Sequence, residues 1–203
     1  MHFFPPESDA VIRVSAISRR FGATTALDSV DLSLPRGAVY GRVGANGAGK
    51  TTLIKHILGR LNAERGSVRV FGLDPVANPV GVLSRIGHLS EENDFPGWMR
   101  VDELMRYSDE PSSGLDPIVR RDMLGAVIRT IASEGRTVLF SSHLLEEVEQ
   151  VADHVTMINH GKILLSAPLP DIKESHRVGE RLPSLDEIFV SHAGATAAPA
   201  GDR

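Results

Sequence analysis

The stretch Gly44-Ala45-Asn46-Gly47-Ala48-Gly49-Lys50-Thr51 satisfies the spacing G-x-x-x-x-G-K-[ST], and it constrains the fold more than any other part of the chain. A strand must end just before it and a helix must begin inside it. Ala38-Val39-Tyr40-Gly41-Arg42-Val43 supplies the short strand. Apolar positions 53, 54, 57 and 58 of the segment that starts at Lys50 recur at helical spacing. In that setting the glycines let the backbone fold into a cradle whose N–H groups, with the helix N-terminus, point at phosphate oxygens. Lys50 adds a positive charge and Thr51 a hydroxyl suited to magnesium. A glycine-rich turn with no ligand is the alternative, and the strand, loop, helix order decides against it. Arg42 is a charge in a strand that a parallel sheet buries on both faces. It is expected to snorkel outward as a structural residue rather than to contact phosphate.

The rest of the chain reads as strands and helices built around that unit. Val11-Ile12-Arg13-Val14 and Val30-Asp31-Leu32-Ser33-Leu34 alternate or cluster as strands, with a turn around Leu34-Pro35-Arg36-Gly37. Gly66 to Phe71 and Ile86 to Leu89 read as further short strands, and Val101 to Tyr107 as the opening turns of a helix. Asp116 caps a helix with Pro117 at its first position, an apolar stripe runs through 124, 127, 128 and 131, and Gly135 ends it. Thr137-Val138-Leu139-Phe140 is then a buried strand, Leu144 to Ala152 a helix, and Val155 to Leu165 a hairpin around Asn159-His160-Gly161. That order implies an α/β domain with a largely parallel sheet. One domain is expected over 10–190, with flexible tails at 1–9 and 191–203.

Composition narrows the function classes. A chain of 203 residues that is 41% hydrophobic can bury a substantial core, and no apolar stretch is long enough to cross a bilayer. Met1-His2-Phe3-Phe4-Pro5-Pro6 lacks the basic region and long apolar core of a secretory signal, so a cytoplasmic location is expected. Zero cysteines exclude disulfides, thiolate metal sites and cysteine nucleophiles. A net charge of −4 argues against nucleic acid as a partner, and the pairs Arg19-Arg20 and Arg120-Arg121 are expected on a solvated surface.

A phosphate loop by itself fits kinases, GTPases, helicases and transporter ATPases. Ser113-Gly114-Leu115-Asp116-Pro117 and Leu139-Phe140-Ser141-Ser142-His143 resemble, in order and spacing, the D-loop and the histidine switch of ABC-transporter ATPase subunits. A GTPase needs an Asn-Lys-x-Asp guanine reader, which is missing from the sequence. The resemblance extends from Ile12 to Phe189 with one large interruption. It implies a P-loop NTPase-type sheet with flanking helices and an N-terminal antiparallel β portion. It also implies ATP and Mg2+ as ligands, a transmembrane permease subunit as partner, and a second ATP-binding subunit in a homo- or heterodimer. The chain would then sit at the inner face of the cell membrane through the permease.

Carried over by position, the resemblance gives Gly44, Ala45, Asn46, Gly47, Ala48, Gly49, Lys50, Thr51 and Thr52 to the phosphates. Phe21, in Arg20-Phe21-Gly22, matches the aromatic that stacks on adenine, the alternative being a core side chain. Glu91 falls where the family usually places a glutamine that senses magnesium and the membrane partner. Glutamate there can approach a metal but cannot donate a hydrogen bond, and a solvated Glu91-Glu92 pair is the other reading. Asp109 matches the aspartate that holds magnesium through water, and Glu110 the glutamate that polarises the attacking water. Asp116 belongs to the D-loop, and His143 matches the switch histidine at the γ-phosphate; the other seven histidines show no metal-like spacing. The wording around Asp116 to Met123 and Leu144 to Gly161 resembles subunits of export systems more than importers.

One part of the family pattern is missing. The signature Leu-Ser-Gly-Gly does not occur, since the pairs beginning at Leu32, Leu83, Leu89 and Leu165 are each followed by a residue other than glycine. The chain passes from Met105-Arg106-Tyr107 directly to Ser108-Asp109-Glu110, so no apolar strand delivers the acidic pair. An internal deletion near 107/108, removing most of a helical subdomain and that strand, is the expectation. Losing about four buried apolar side chains forfeits roughly 6–12 kcal/mol, comparable to the stability of a domain. A homodimer of such chains would lack the signature that faces each phosphate loop, and is expected to hydrolyse ATP poorly.

Overall fold

A computed structural model describes residues 10–87, 128, 133–142 and 145–195. Strands β1 (Ala10–Phe21) and β2 (Thr24–Pro35) pair antiparallel across a tight hairpin at Gly22, and β4 (Arg65–Val70) pairs antiparallel with the other edge of β1. The strands expected at 11–14 and 30–34 are therefore the buried halves of two longer ones. Their inward positions, Val14, Ile17, Leu27, Val30, Leu32 and Leu34, are almost fully buried, and such side chains stabilise by about 1.5–3 kcal/mol each.

The second sheet has the order β5-β3-β6-β7. Strand β3 (Val39–Val43) lies between β5 (Val138–Ser142) and β6 (His154–Asn159), parallel to both, and β7 (Lys162–Pro168) returns antiparallel to β6. The largely parallel α/β sheet and the N-terminal antiparallel portion are thus both present. Helix α1 (Lys50–Ile57) lies on the face shared with the antiparallel sheet, where Leu53, Ile57, Tyr40 and Ile158 join one core. Helices α3 (Leu145–Val151), α4 (Leu169–Ser175) and α5 (Leu185–Ala195) close the opposite face, where Val43, Val148, Met157, Ile172 and Leu185 form a second core. Glu149 of α3 ties that face together by pairing with Lys173 of α4 and accepting the backbone N–H of Leu185. A short α2 (Pro79–Leu83) starts at Asn78, whose side chain accepts the N–H of Gly81, with proline in its first turn.

Several expectations change. Arg42 does not reach outward. It is 1% exposed, because both faces of β3 are covered and both of its edges are paired, leaving the side chain no path to water. The strand expected over Ile86 to Leu89 does not extend through Ile86 and Gly87, which follow α2 without regular structure, Ile86 packing against the first core. The strand expected over Thr137 to Phe140 is present as β5, but Val138 to Ser141 are half-buried rather than buried. Helix α5 runs to Ala195, past the expected boundary at 190, since Leu185 and Ile188 anchor it in the second core. Of the helix expected after Asp116, only Ile128, buried and helical, and the helical Ser133 are described. The helix over Val101 to Tyr107, the junction at 107/108 and the tail at 1–9 lie outside the described residues.

Candidate nucleotide-binding site

Strand β3 delivers its last residue, Val43, to Gly44, and α1 begins at Lys50, so the loop spans the gap between a central strand and a helix. Two glycines are required by their surroundings. A Cβ at Gly44 would strike the carbonyl oxygen of Ile158, and one at Gly49 the carbonyl oxygen of Ala26, while Gly49 also holds a left-handed φ of 106° as the N-cap of α1. The loop closes on itself through Ala48 N–H donating to the Ala45 carbonyl at 3.1 Å. Ala45, Asn46 and Gly47 form the exposed crest.

Charge is arranged for an anion. The Lys50 ammonium curls back over the loop, donating to the carbonyls of Gly44 at 2.6 Å and Ala45 at 3.0 Å. The N-cap Gly49 makes no side-chain cap bond and no acidic residue stands in the first turn of α1, so the helix dipole there favours an anion. Thr51 is exposed and Thr52 half-buried, both in that first turn. The Thr52 carbonyl also accepts Nδ1–H of the buried His56 at 2.8 Å. A triphosphate fits this set: backbone N–H donors on a helix axis, one ammonium, and an exposed hydroxyl that can serve a hard cation. Among the described residues no cluster of three or more His, Asp or Glu could hold a metal by itself.

Phe21 is not a core residue. It is 47% exposed at the end of β1, with the Arg19 guanidinium 4.8 Å from its ring centroid. Arg19 is itself held by Glu64 at 3.5 Å and by the Asn62 carbonyl at 3.3 Å. Phe21 pairs with Thr24 at the start of β2, the strand whose Ala26 carbonyl lies against Gly49. The remaining expected site residues, Glu91, Asp109, Glu110, Asp116 and His143, lie outside the described residues. Sequence reading missed the residues behind the loop: Ala26, Ile158 and Gly161, whose amide donates to the Ala48 carbonyl at 3.0 Å. The Asn159-His160-Gly161 turn was the one available signal.

Comparison with known proteins agrees with this geometry. The profile of the family described as "ABC transporter" matches residues 27–168. The chain is 27% identical to the bacitracin transport ATP-binding protein BcrA of Bacillus licheniformis, covering 82% of this chain and 72% of that one. It is 28% identical to the daunorubicin/doxorubicin resistance ATP-binding protein DrrA of Streptomyces peucetius, covering 81% and 67%. A solved ATP-binding subunit of an ABC transporter shares the fold, with a TM-score of 0.74 and 21% identity over 91% of this chain and all of that one. The BcrA comparison spans 223 positions, whereas 82% of 203 residues is about 166, so about 57 positions of that relative have no counterpart here. No described helix is long and apolar enough to cross a membrane. Loop, lysine, helix and profile together place this chain in the ABC transporter family, among its ATP-binding subunits.

Proposed function

We propose that the chain binds MgATP at Gly44 to Thr52 and couples binding and hydrolysis to export through a transmembrane permease subunit. The observation that carries this is the Lys50 ammonium folded over a loop that enters its helix through the N-cap Gly49, with no acid in the first turn. Gly44 to Gly49 would hold the phosphates through backbone N–H groups, Lys50 would neutralise them, and Thr51 would contribute its hydroxyl to magnesium. Phe21 would stack on adenine, its ring half-exposed with the Arg19 guanidinium against it. Asp109 and Glu91 would complete the magnesium site and Glu110, Asp116 and His143 the hydrolytic one, as the family pattern assigns them. The export direction is supported by the transport and resistance roles that name the relatives BcrA and DrrA.

A second reading, a subunit that binds ATP but hydrolyses it poorly, is favoured by the shortfall of about 57 positions against BcrA and by the missing Leu-Ser-Gly-Gly segment. A second, complete ATP-binding subunit would then supply the signature to this phosphate loop. Titration with MgATP and a turnover assay separate the two. Lys50→Ala should weaken ATP binding by about 10- to 100-fold, the cost of a charge-assisted contact. Turnover abolished by that change supports the active subunit, and binding without turnover supports the second reading. Absence of MgATP binding in the unaltered chain would refute both.

A further inference from the structure

Gly161 occupies a position that the phosphate-loop motif does not mention. It sits at the turn between β6 and β7 with φ of 74°, and it is bonded in two directions. Its N–H donates to the Ala48 carbonyl at 3.0 Å, and its own carbonyl accepts the N–H of Asp28 at 2.9 Å. The same turn is clamped again where Lys162 pairs with Asp28 at 3.1 Å. A Cβ on Gly161 would lie 2.8 Å from the Ala26 carbonyl oxygen and 3.1 Å from Leu27 Cα, so the turn is wedged against β2 with no room for a side chain.

The bond to Ala48 has a directional consequence. In a planar trans peptide the carbonyl and the following N–H point in opposite directions. Fixing the Ala48 carbonyl toward the hairpin therefore turns the Gly49 N–H away from the hairpin. Ile158, one turn of the hairpin away, backs the same loop at Gly44 and Gly49. We infer that the β6–β7 hairpin is a latch for the phosphate loop and that Gly161 is a positioning residue for nucleotide binding. It presets the Gly49 amide and links the phosphate loop to β2, the strand that leads to the exposed ring of Phe21.

This inference rests on the ATP reading above, and the test keeps the two apart. MgATP is titrated into the full chain, Gly161→Ala and Gly179→Ala, with thermal unfolding recorded for each. Gly179 has a similar φ of 62° but open space around it, so its variant carries the backbone strain without the clash. The latch predicts ATP binding about tenfold weaker in Gly161→Ala, as for a lost and misdirected hydrogen bond, and unchanged in Gly179→Ala. Equal affinities in the two variants would overturn it. Amide exchange of the unaltered chain gives a second measurement that survives misfolding of the variant. ATP should slow exchange at Gly161 while leaving the Val178 amide of the α4–α5 connection unaffected, and no slowing at Gly161 would count against the latch. An unaltered chain that binds no MgATP would overturn the ATP reading instead.

Discussion

Strand β3 has two parallel neighbours, and they differ sharply. On one side β6 is buried along nearly its whole length, with Val155, Met157 and Ile158 fully covered, and its hairpin reaches around to hold the phosphate loop. On the other side β5 pairs with β3 residue for residue, yet its side chains from Val138 to Ser141 remain half-buried. Against BcrA the chain is short by about 57 positions. The difference between the two neighbours teaches that the phosphate loop at the end of β3 is braced from the β6 side, through Ile158 and Gly161. Backbone from β2 and from the β6–β7 hairpin packs against that loop.

The comparison breaks most directly through paired truncations. Ile158→Ala should cost about 2–5 kcal/mol of stability as a fully buried side chain, whereas Leu139→Ala on β5 should cost about 1 kcal/mol. Denaturant unfolding of both variants checks this, and equal losses would erase the asymmetry. A smaller effect tests the β6 seam by pH. His154, at the start of β6, stacks on Tyr40 with ring centroids 4.9 Å apart, and burial holds its pKa below the ordinary 6.5, only partly offset by Asp153 and Asp171. The folded state therefore prefers the neutral ring. Its contribution is whole above 6.5 and is lost as pH falls through the lowered folded value. Thermal unfolding from about pH 8 to about pH 5 should show an acid-side loss that His154→Phe reduces. The smallest effect belongs to the exposed Lys162–Asp28 pair: Lys162→Ala should cost about 0.2–1 kcal/mol and less in high salt, leaving Gly161 to hold the loop.

Much of the strand–loop–helix unit is legible in the sequence because it depends on local rules. Glycine spacing, the lysine and the helical stripe at Leu53, Ile54 and Ile57 specify a strand, a phosphate loop and a helix without reference to anything distant. The hairpin at Asn159-His160-Gly161 was equally readable from its turn residues. What could not be read were properties set by neighbours far along the chain. Arg42 was misjudged because its burial depends on β5, β6 and two cores closing around β3. Helices α4 and α5 went unnoticed because Leu169–Ser175 is short and Leu185–Ala195 is held by contacts with α3 rather than by a strong periodic pattern.

Sequence alone determined that this chain carries a triphosphate-type loop on a strand–helix junction, since that geometry follows from residues within one short segment. Only the tertiary structure decided what holds the loop in shape. Ala26 on β2 lies more than a hundred residues from Ile158 and Gly161 of the β6–β7 hairpin, and no local pattern records which backbone will meet which. Their meeting is set by sheet order and register, which arise from burying two apolar cores at once rather than from any single motif.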